Sequence, residues 1–204
     1  ERNGLLFPPD ELMYFDKLPD EVPTKIVAPV DVAWGGGDAC SCPCSYVYKD
    51  KNIKNSYEVY IPAVVFEYGD KSKSQPEIAR MVFEHNIGHL RIEKNNGGAE
   101  YRDDLDRIFK EKGITCNIDC KSAPTKVAKE GKIFASAPDI KAHFHFLKSG
   151  LRNDQYQKFM QQLFLYTING SNKQKDDAPD SLAQGNDMIK TPSAPTFTIF
   201  QRPF

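Results

Sequence analysis

Long apolar runs dominate the first third of the chain and shorter, helically spaced ones the rest. Residues 25–34, KIVAPVDVAW, are apolar and rich in β-branched side chains and stop at Gly35, Gly36 and Gly37, which predicts a buried strand. A second strand is predicted from Ala39 to Tyr48. After the lysine- and asparagine-rich turn KDKNIKNS a third follows over YEVYIPAVVFEY, and short connections make the three an antiparallel meander. Pro43 and Pro62 within it mark bulges or edge positions. Past Asp70 the period becomes helical, and Ile78, Met81, Val82 and Phe83 are assigned to one face of QPEIARMVFEHN. HLRIE is a short strand ending at Glu93, broken by Asn95, Asn96, Gly97 and Gly98. A second amphipathic helix then carries Tyr101, Leu105, Ile108 and Phe109 to a stop at Gly113. ITCNID is the next strand, Thr125 to Ala137 a helix, AHFHFL an alternating strand and YQKFMQQLFLYTI an amphipathic helix. A last helix starts at Asp177 and runs towards Ile189. The proline-rich residues 1–24 are expected to form an irregular lead-in with one helical turn at Asp10 to Phe15, and residues 191–204 an irregular tail.

Three strands, a helix, a strand, a helix, a strand and then mostly helices describe a mixed sheet with helices on its faces. The expected class is therefore α/β, a three-strand antiparallel meander joined to βα units, with one domain over residues 25–190. This order resembles the ribonuclease H-like one, in which the first and fourth strands lie side by side at the centre.

Charge narrows the reading. Lys plus Arg is 27 and Asp plus Glu is 28, so the net charge is −1 and the chain is not a polycation. Nucleic-acid binding would have to come from a local patch or from metal ions that offset carboxylates. No window approaches the roughly 18 apolar residues of a membrane span, and the amino terminus lacks a signal-peptide pattern, so a soluble, intracellular protein without membrane partners is expected. Cys40, Cys42 and Cys44 lie in a C-x-C-x-C run, with Cys116 and Cys120 apart from them. Three thiolates on an extended segment plus a fourth would suit tetrahedral zinc, and small buried strand residues are the plainer reading. His85, His89, His143 and His145 are read as ordinary surface or partly buried histidines.

Three acidic positions stand out. Asp31 is an acid inside an apolar run, where an unpaired charge is costly to bury. Glu93 ends a strand just before a glycine-rich turn, a rigid support for a functional side chain. If the first and fourth strands adjoin, both project near one sheet edge, where two carboxylates repel unless a cation lies between them. Each also has a structural reading, Asp31 as an acceptor of backbone N–H bonds and Glu93 as a solvated loop residue. In KDDAPDSLAQGNDM, Asp177 and Asp180 are three apart and share a face in the first turn of the last helix, beside Asp176. Helix capping accounts for acids there and is compatible with metal binding. Such a set suits hard cations, Mg²⁺ or Mn²⁺.

The segments VDVAWGGGDA (30–39), LRIEKNNGG (90–98), AKEGKIFASAPDIK (128–141), YQKFMQQLFLYT (156–167) and KDDAPDSLA (175–183) carry a resemblance. In this order, and over most of the chain from Leu6 to Ala183, the sequence resembles the C-terminal nuclease domain of the large terminase subunit of tailed bacteriophages. The resemblance implies a ribonuclease H-like, metal-dependent endonuclease that cuts concatemeric viral double-stranded DNA during packaging by two-metal phosphodiester hydrolysis. It implies two divalent cations, Mg²⁺ or Mn²⁺, held by Asp31, Glu93, Asp177 and Asp180, with Asp38 and Asp176 in an outer role. Lys129, Lys132 and Lys175 become candidates for DNA contact, with Lys121, Lys126 and Lys173 beside them; Lys175 stands where many relatives carry His. It also implies a host-cell cytoplasmic location and, in the full-length protein, an N-terminal packaging ATPase domain, the portal and the small terminase subunit as partners. No G-x-x-x-x-G-K-[S/T] occurs, so the motor is expected outside this sequence, and the start at Glu1 is read as that of a piece of a longer protein. Two alternatives stay open: a junction-resolving or transposase-like nuclease of the same fold, and a non-catalytic DNA- or portal-docking domain with a structural cysteine–zinc site.

Overall fold

The computed structural model describes residues 4–33, 37–49, 56–93, 98–122, 126–170 and 174–190, with backbone only for 126–128. Seven strands, β1 (Met13–Phe15), β2 (Lys25–Val30), β3 (Cys40–Lys49), β4 (Tyr57–Glu67), β5 (His89–Glu93), β6 (Asn117–Lys121) and β7 (Phe144–Leu147), form one sheet in the order β1-β7-β4-β3-β2-β5-β6. The meander β2–β3–β4 is antiparallel; β5 joins β2 and β6 joins β5 in parallel, while β7 and β1 extend the far edge in parallel. The first and fourth strands of the sequence-derived order, β2 and β5, are thus neighbours near the middle of the sheet. The order is ribonuclease H-like.

Five helices, α1 (Lys71–His85), α2 (Gly98–Lys112), α3 (Lys126–His143), α4 (Asp154–Leu165) and α5 (Asp177–Lys190), cover the two faces. Strand alternation sorts the core. Val27, Val47, Val59, Ile61, Phe144 and Phe146 face α3, α4 and α5, whereas Ala28, Val30, Cys42, Cys44, Leu90 and Ile92 face α1 and α2. Local signals set the helix ends. Asp70 caps α1, its carboxylate accepting from Ser72 N at 2.8 Å, and Asn86 closes it at φ 51°. Asn153 caps α4 through Tyr156 N, and Gly113 ends α2 at φ 65°.

Four expectations change. The lead-in is not wholly irregular: a short 3-10 turn at Pro9–Glu11 is followed by β1, which pairs with β7, and Phe7 is fully buried. Short apolar segments such as Met13–Phe15 take their conformation from a partner strand, here one 132 residues away at Met13↔His145. α3 does not stop before Pro138 but runs to His143, because Ile133, Ala137 and Ile140 continue one buried face across the proline. Phe83 lies off the buried face of Ile78, Met81 and Val82 and is 68% exposed. β2 ends at Val30, with Asp31 in an isolated bridge beyond it. At the proline positions, Ile61 and Pro62 together oppose Ser45, a bulge, and the β2–β3 register sets Pro29 opposite Pro43, where neither residue has an N–H to offer. Residues 191–204 lie outside the described residues. Among the described residues no helix is long and apolar enough to cross a membrane.

Candidate metal centre

Asp31 and Ser41 exchange two backbone hydrogen bonds, Asp31 N to Ser41 O and Ser41 N to Asp31 O, both 3.0 Å. The pair pins the acid's backbone to the middle of the sheet. The β2–β5 register, Val30↔Ile92, brings Glu93 beside Asp31 one step on, so both side chains leave the face covered by α5. Asp180 comes down from the first turn of α5 to meet them. Carboxylate oxygens of Asp31, Glu93 and Asp180 all lie within 4.8 Å of one another, and among the described residues this is the one such group of potential metal ligands.

The group is close-packed, with Asp31 and Glu93 half-buried. Asp180 is fully buried; its Oδ2 accepts from Gln184 Nε2 at 3.0 Å and lies 2.9 Å from Lys129 Nζ, while its Oδ1 is buried without a hydrogen-bond partner. Lys129 Nζ is also 3.6 Å from Asp31 and 3.6 Å from Asp176. Burial pushes Asp31 well above the ordinary carboxylate range; Lys129 pulls it back, and Asp180, Glu93 and Asp177 push it up again. Burial likewise raises Asp180, against the pull of Lys129, and raises Glu93, which Asp180 lifts further. Burial alone would lower Lys129, but Asp31, Asp180 and Asp176 outweigh it and hold the ammonium charged. Three converging carboxylates with one orphaned oxygen, balanced by a single ammonium, are a donor set short of positive charge. Oxygen ligands of this kind fit Mg²⁺ or Mn²⁺.

The remaining sequence candidates are placed differently. Asp177 is not in the group: its Oδ2 accepts from Gln162 Nε2 at 2.9 Å, and Gln162 Oε1 accepts from Ala178 N at 2.6 Å, so one glutamine from α4 holds the first turn of α5. The shared helical face therefore resolves into two roles, Asp180 towards the acids and Asp177 towards α4. Asp176 stands beside the group through Lys129. Asp38 pairs with Lys175 at 2.5 Å, and Lys175 also donates to Gly37 O, which ties the segment after β2 to the approach of α5. Lys132 lies close enough to lower the pKa of Glu93, and Lys121 pairs with Asp187 at 2.6 Å. For Lys126 only the backbone is described, and Lys173 lies outside the described residues. The four histidines are elsewhere: His85 bonds Tyr46 OH, His89 faces Asp119, and His143 and His145 face Glu58, with His145 stacked on Tyr60. Cys40, Cys42 and Cys44 are free, buried thiols against α1 and α2, and burial raises their pKa values.

No protein-family model matches the sequence, and no curated protein matches it. Solved structures do. The nuclease domain of the large terminase subunit gp2 of bacterial virus Sf6 gives a TM-score of 0.55 at 11% identity, over 85% of this chain and 91% of that one. This chain has the fold of a large-terminase nuclease domain. The large terminase of a thermophilic bacteriophage gives 0.55 at 11% identity over 90% of this chain, which spans 44% of that protein. A lysine variant of the Sf6 nuclease domain, solved with manganese and β-thujaplicinol, gives 0.53 at 10% identity over 85% of this chain and 91% of that one. At such identities the likeness establishes the terminase-nuclease fold and leaves chemistry to the residues.

Within that fold, two residues that build the centre escape sequence reasoning. Gly98, read as a strand breaker, opens α2 against the strand end: a Cβ there would lie 2.0 Å from Glu93 O. Gln162 looks like any polar residue of an amphipathic helix; its 8% exposure is the only sign of its clamp on Asp177 and Ala178.

Proposed function

We propose that this domain is a metal-dependent endodeoxyribonuclease that cuts concatemeric viral double-stranded DNA during genome packaging. The observation that carries the reading is the convergence of Asp31, Glu93 and Asp180 within 4.8 Å, with one Asp180 oxygen buried and unpartnered. Structural neighbours described as terminase nuclease domains, one of them solved with manganese, support the same reaction class. Two divalent cations, when bound, would generate a hydroxide nucleophile and stabilise the leaving oxygen of a phosphodiester. Asp31, Glu93 and Asp180 would hold them; Asp177 and Gln162 orient the helix turn that presents Asp180. Lys129 balances the acids from inside the site. Lys132, whose charge acts on Glu93, is the candidate for DNA-backbone contact beside the acids, with Lys175 on the flank where it engages Asp38. In the full-length protein the domain works with an N-terminal packaging ATPase domain, the portal and the small terminase subunit, in the host cytoplasm.

The test is nicking of supercoiled plasmid with Mg²⁺, Mn²⁺ or EDTA. Wild-type protein is expected to nick with Mn²⁺ or Mg²⁺ and not with EDTA, and Asp31→Asn and Asp180→Asn to be inactive while folded by circular dichroism. Metal-independent nicking, or full activity in both variants, rules the reading out.

A further inference from the structure

We propose that Arg91 is a positioning residue for the metal centre: through Asp187 it sets the helix carrying Asp180 against the strand carrying Glu93. This rests on the nuclease reading of that centre and concerns what holds its walls at the right separation.

Arg91 precedes Glu93 by two residues on β5, so both point to the same face, roughly 6.6 Å apart along the strand. Asp187 follows Asp180 by seven residues on α5, within about 20° of two full turns, which puts it on the same side of the helix roughly 10 Å further on. The two pairs are therefore parallel rungs between β5 and α5. Glu93 and Asp180 form the front rung. Arg91 Nη1 donates to Asp187 Oδ2 at 3.0 Å and forms the rear one.

The rear rung is braced on its far side. Arg91 Nε faces both carboxylate oxygens of Asp119 on β6 at 3.3 and 3.4 Å, and the arginine side chain is only 12% exposed. A guanidinium holds two carboxylates in a fixed relative geometry through one rigid plane, whereas an ammonium meets them as a rotatable point charge. Other ties on α5 run elsewhere: Lys25 Nζ of β2 donates to the Met188 and Ile189 carbonyls, Ser181 meets Ser41 of β3, and Asn186 donates to Asp139 of α3. Among the described residues, Arg91 supplies a side-chain link from α5 to the strand that carries Glu93. Its loss need not unfold the domain, because Asp187 keeps Lys121 at 2.6 Å and Asp119 keeps His89 at 3.1 Å.

The experiment is calorimetric titration of the metal-free 204-residue chain with Mn²⁺, without DNA. Arg91→Gln is expected to weaken Mn²⁺ binding about 10- to 100-fold, the usual effect of removing a residue that orients ligands from behind. Arg91→Lys is expected to fall between it and wild type. Nicking by Arg91→Gln should need correspondingly more Mn²⁺, with kcat at saturation within about threefold of wild type. Lys25→Met, which loosens the same end of α5 from β2 and not from β5, serves as the control and should lower the melting temperature without changing Mn²⁺ affinity. Equal Mn²⁺ affinity in wild type and Arg91→Gln overturns the proposal while leaving the nuclease reading intact. Equal weakening in Lys25→Met and Arg91→Gln also overturns it, since general loosening would then explain both. If wild type shows no Mn²⁺ binding that Asp180→Asn removes, the reading of the centre fails and the proposal falls with it.

Discussion

Gly98→Ala isolates the effect of strand-end geometry on the acid group, because it adds one methyl group and changes no charge. The added Cβ would lie 2.0 Å from Glu93 O and 3.0 Å from Glu93 C, both backbone atoms, whereas ordinary contact begins near 3.4 Å. Relief therefore requires α2 and the end of β5 to part by 3.4 − 2.0 = 1.4 Å. Glu93 carries its carboxylate along, out of a group whose members now lie within 4.8 Å of one another. A misplacement of about 1 Å at a reacting centre costs on the order of 100-fold in rate, or about 2.7 kcal/mol of barrier. Stability responds less: overpacking costs about 1–3 kcal/mol, and replacing Gly in a helix returns up to about 1 kcal/mol. The expected outcome is a folded variant with a modestly lower melting temperature, nicking reduced on the order of 100-fold at saturating Mn²⁺, and weaker Mn²⁺ binding by calorimetry. Gly98→Ala with nicking and Mn²⁺ affinity both within about threefold of wild type would refute the reasoning, since Glu93 would then tolerate the displacement or not belong to the centre.

Asp177→Asn retains an oxygen for Gln162 Nε2 and is expected to nick at close to the wild-type rate; Gln162→Ala removes one partner of the buried Asp177 carboxylate and the acceptor of the Ala178 N–H and should cost about 1–3 kcal/mol in urea unfolding. An Asp177→Asn variant as inactive as Asp180→Asn would make Asp177 a ligand after all. Lys129→Met removes the one cation among Asp31, Asp176 and Asp180 and is expected to destabilise the metal-free protein by about 3–5 kcal/mol, with Mn²⁺ restoring much of it; unchanged metal-free stability in chemical denaturation would count against the charge balance described. Burial raises the pKa values of Asp31, Glu93 and Asp180, so between the unfolded carboxylate range near pH 4 and their raised native values the folded state binds more protons, and the stability they contribute falls as pH rises. Melting curves without metal should therefore show a wild-type decline as pH rises above the unfolded carboxylate range near pH 4, shallower in Asp180→Asn and smaller with Mn²⁺; identical slopes would contradict it.

The centre was legible where topology and local chemistry agreed. Element order alone placed the Asp31 and Glu93 strands side by side, and an acid inside KIVAPVDVAW marks itself by its cost. The choice between Asp177 and Asp180 was not legible, because i, i+3 spacing puts both on one helical face and the decision belongs to Gln162, fifteen residues away on another helix. Lys129, by sequence a candidate for DNA contact, turns inward to the acids, since nothing local to a lysine shows which way a long side chain reaches. The same limit hid β1, whose three residues become a strand only against β7, and carried α3 past Pro138, where buried contacts at Ile140 outweigh a missing N–H.

The run Cys40, Cys42 and Cys44 is placed where its thiols can time the opening of the sheet. All three thiols are buried in β3, which pairs with β2 beside the acid group, and burial keeps them protonated, so alkylating reagents meet them only when the sheet opens. Cys116 and Cys120, only partly covered at the sheet edge, record motions that stop short of that. Trapping both sets in one sample, with mass spectrometry to separate them, would time edge fraying and central-strand opening independently, without adding a probe to the sequence.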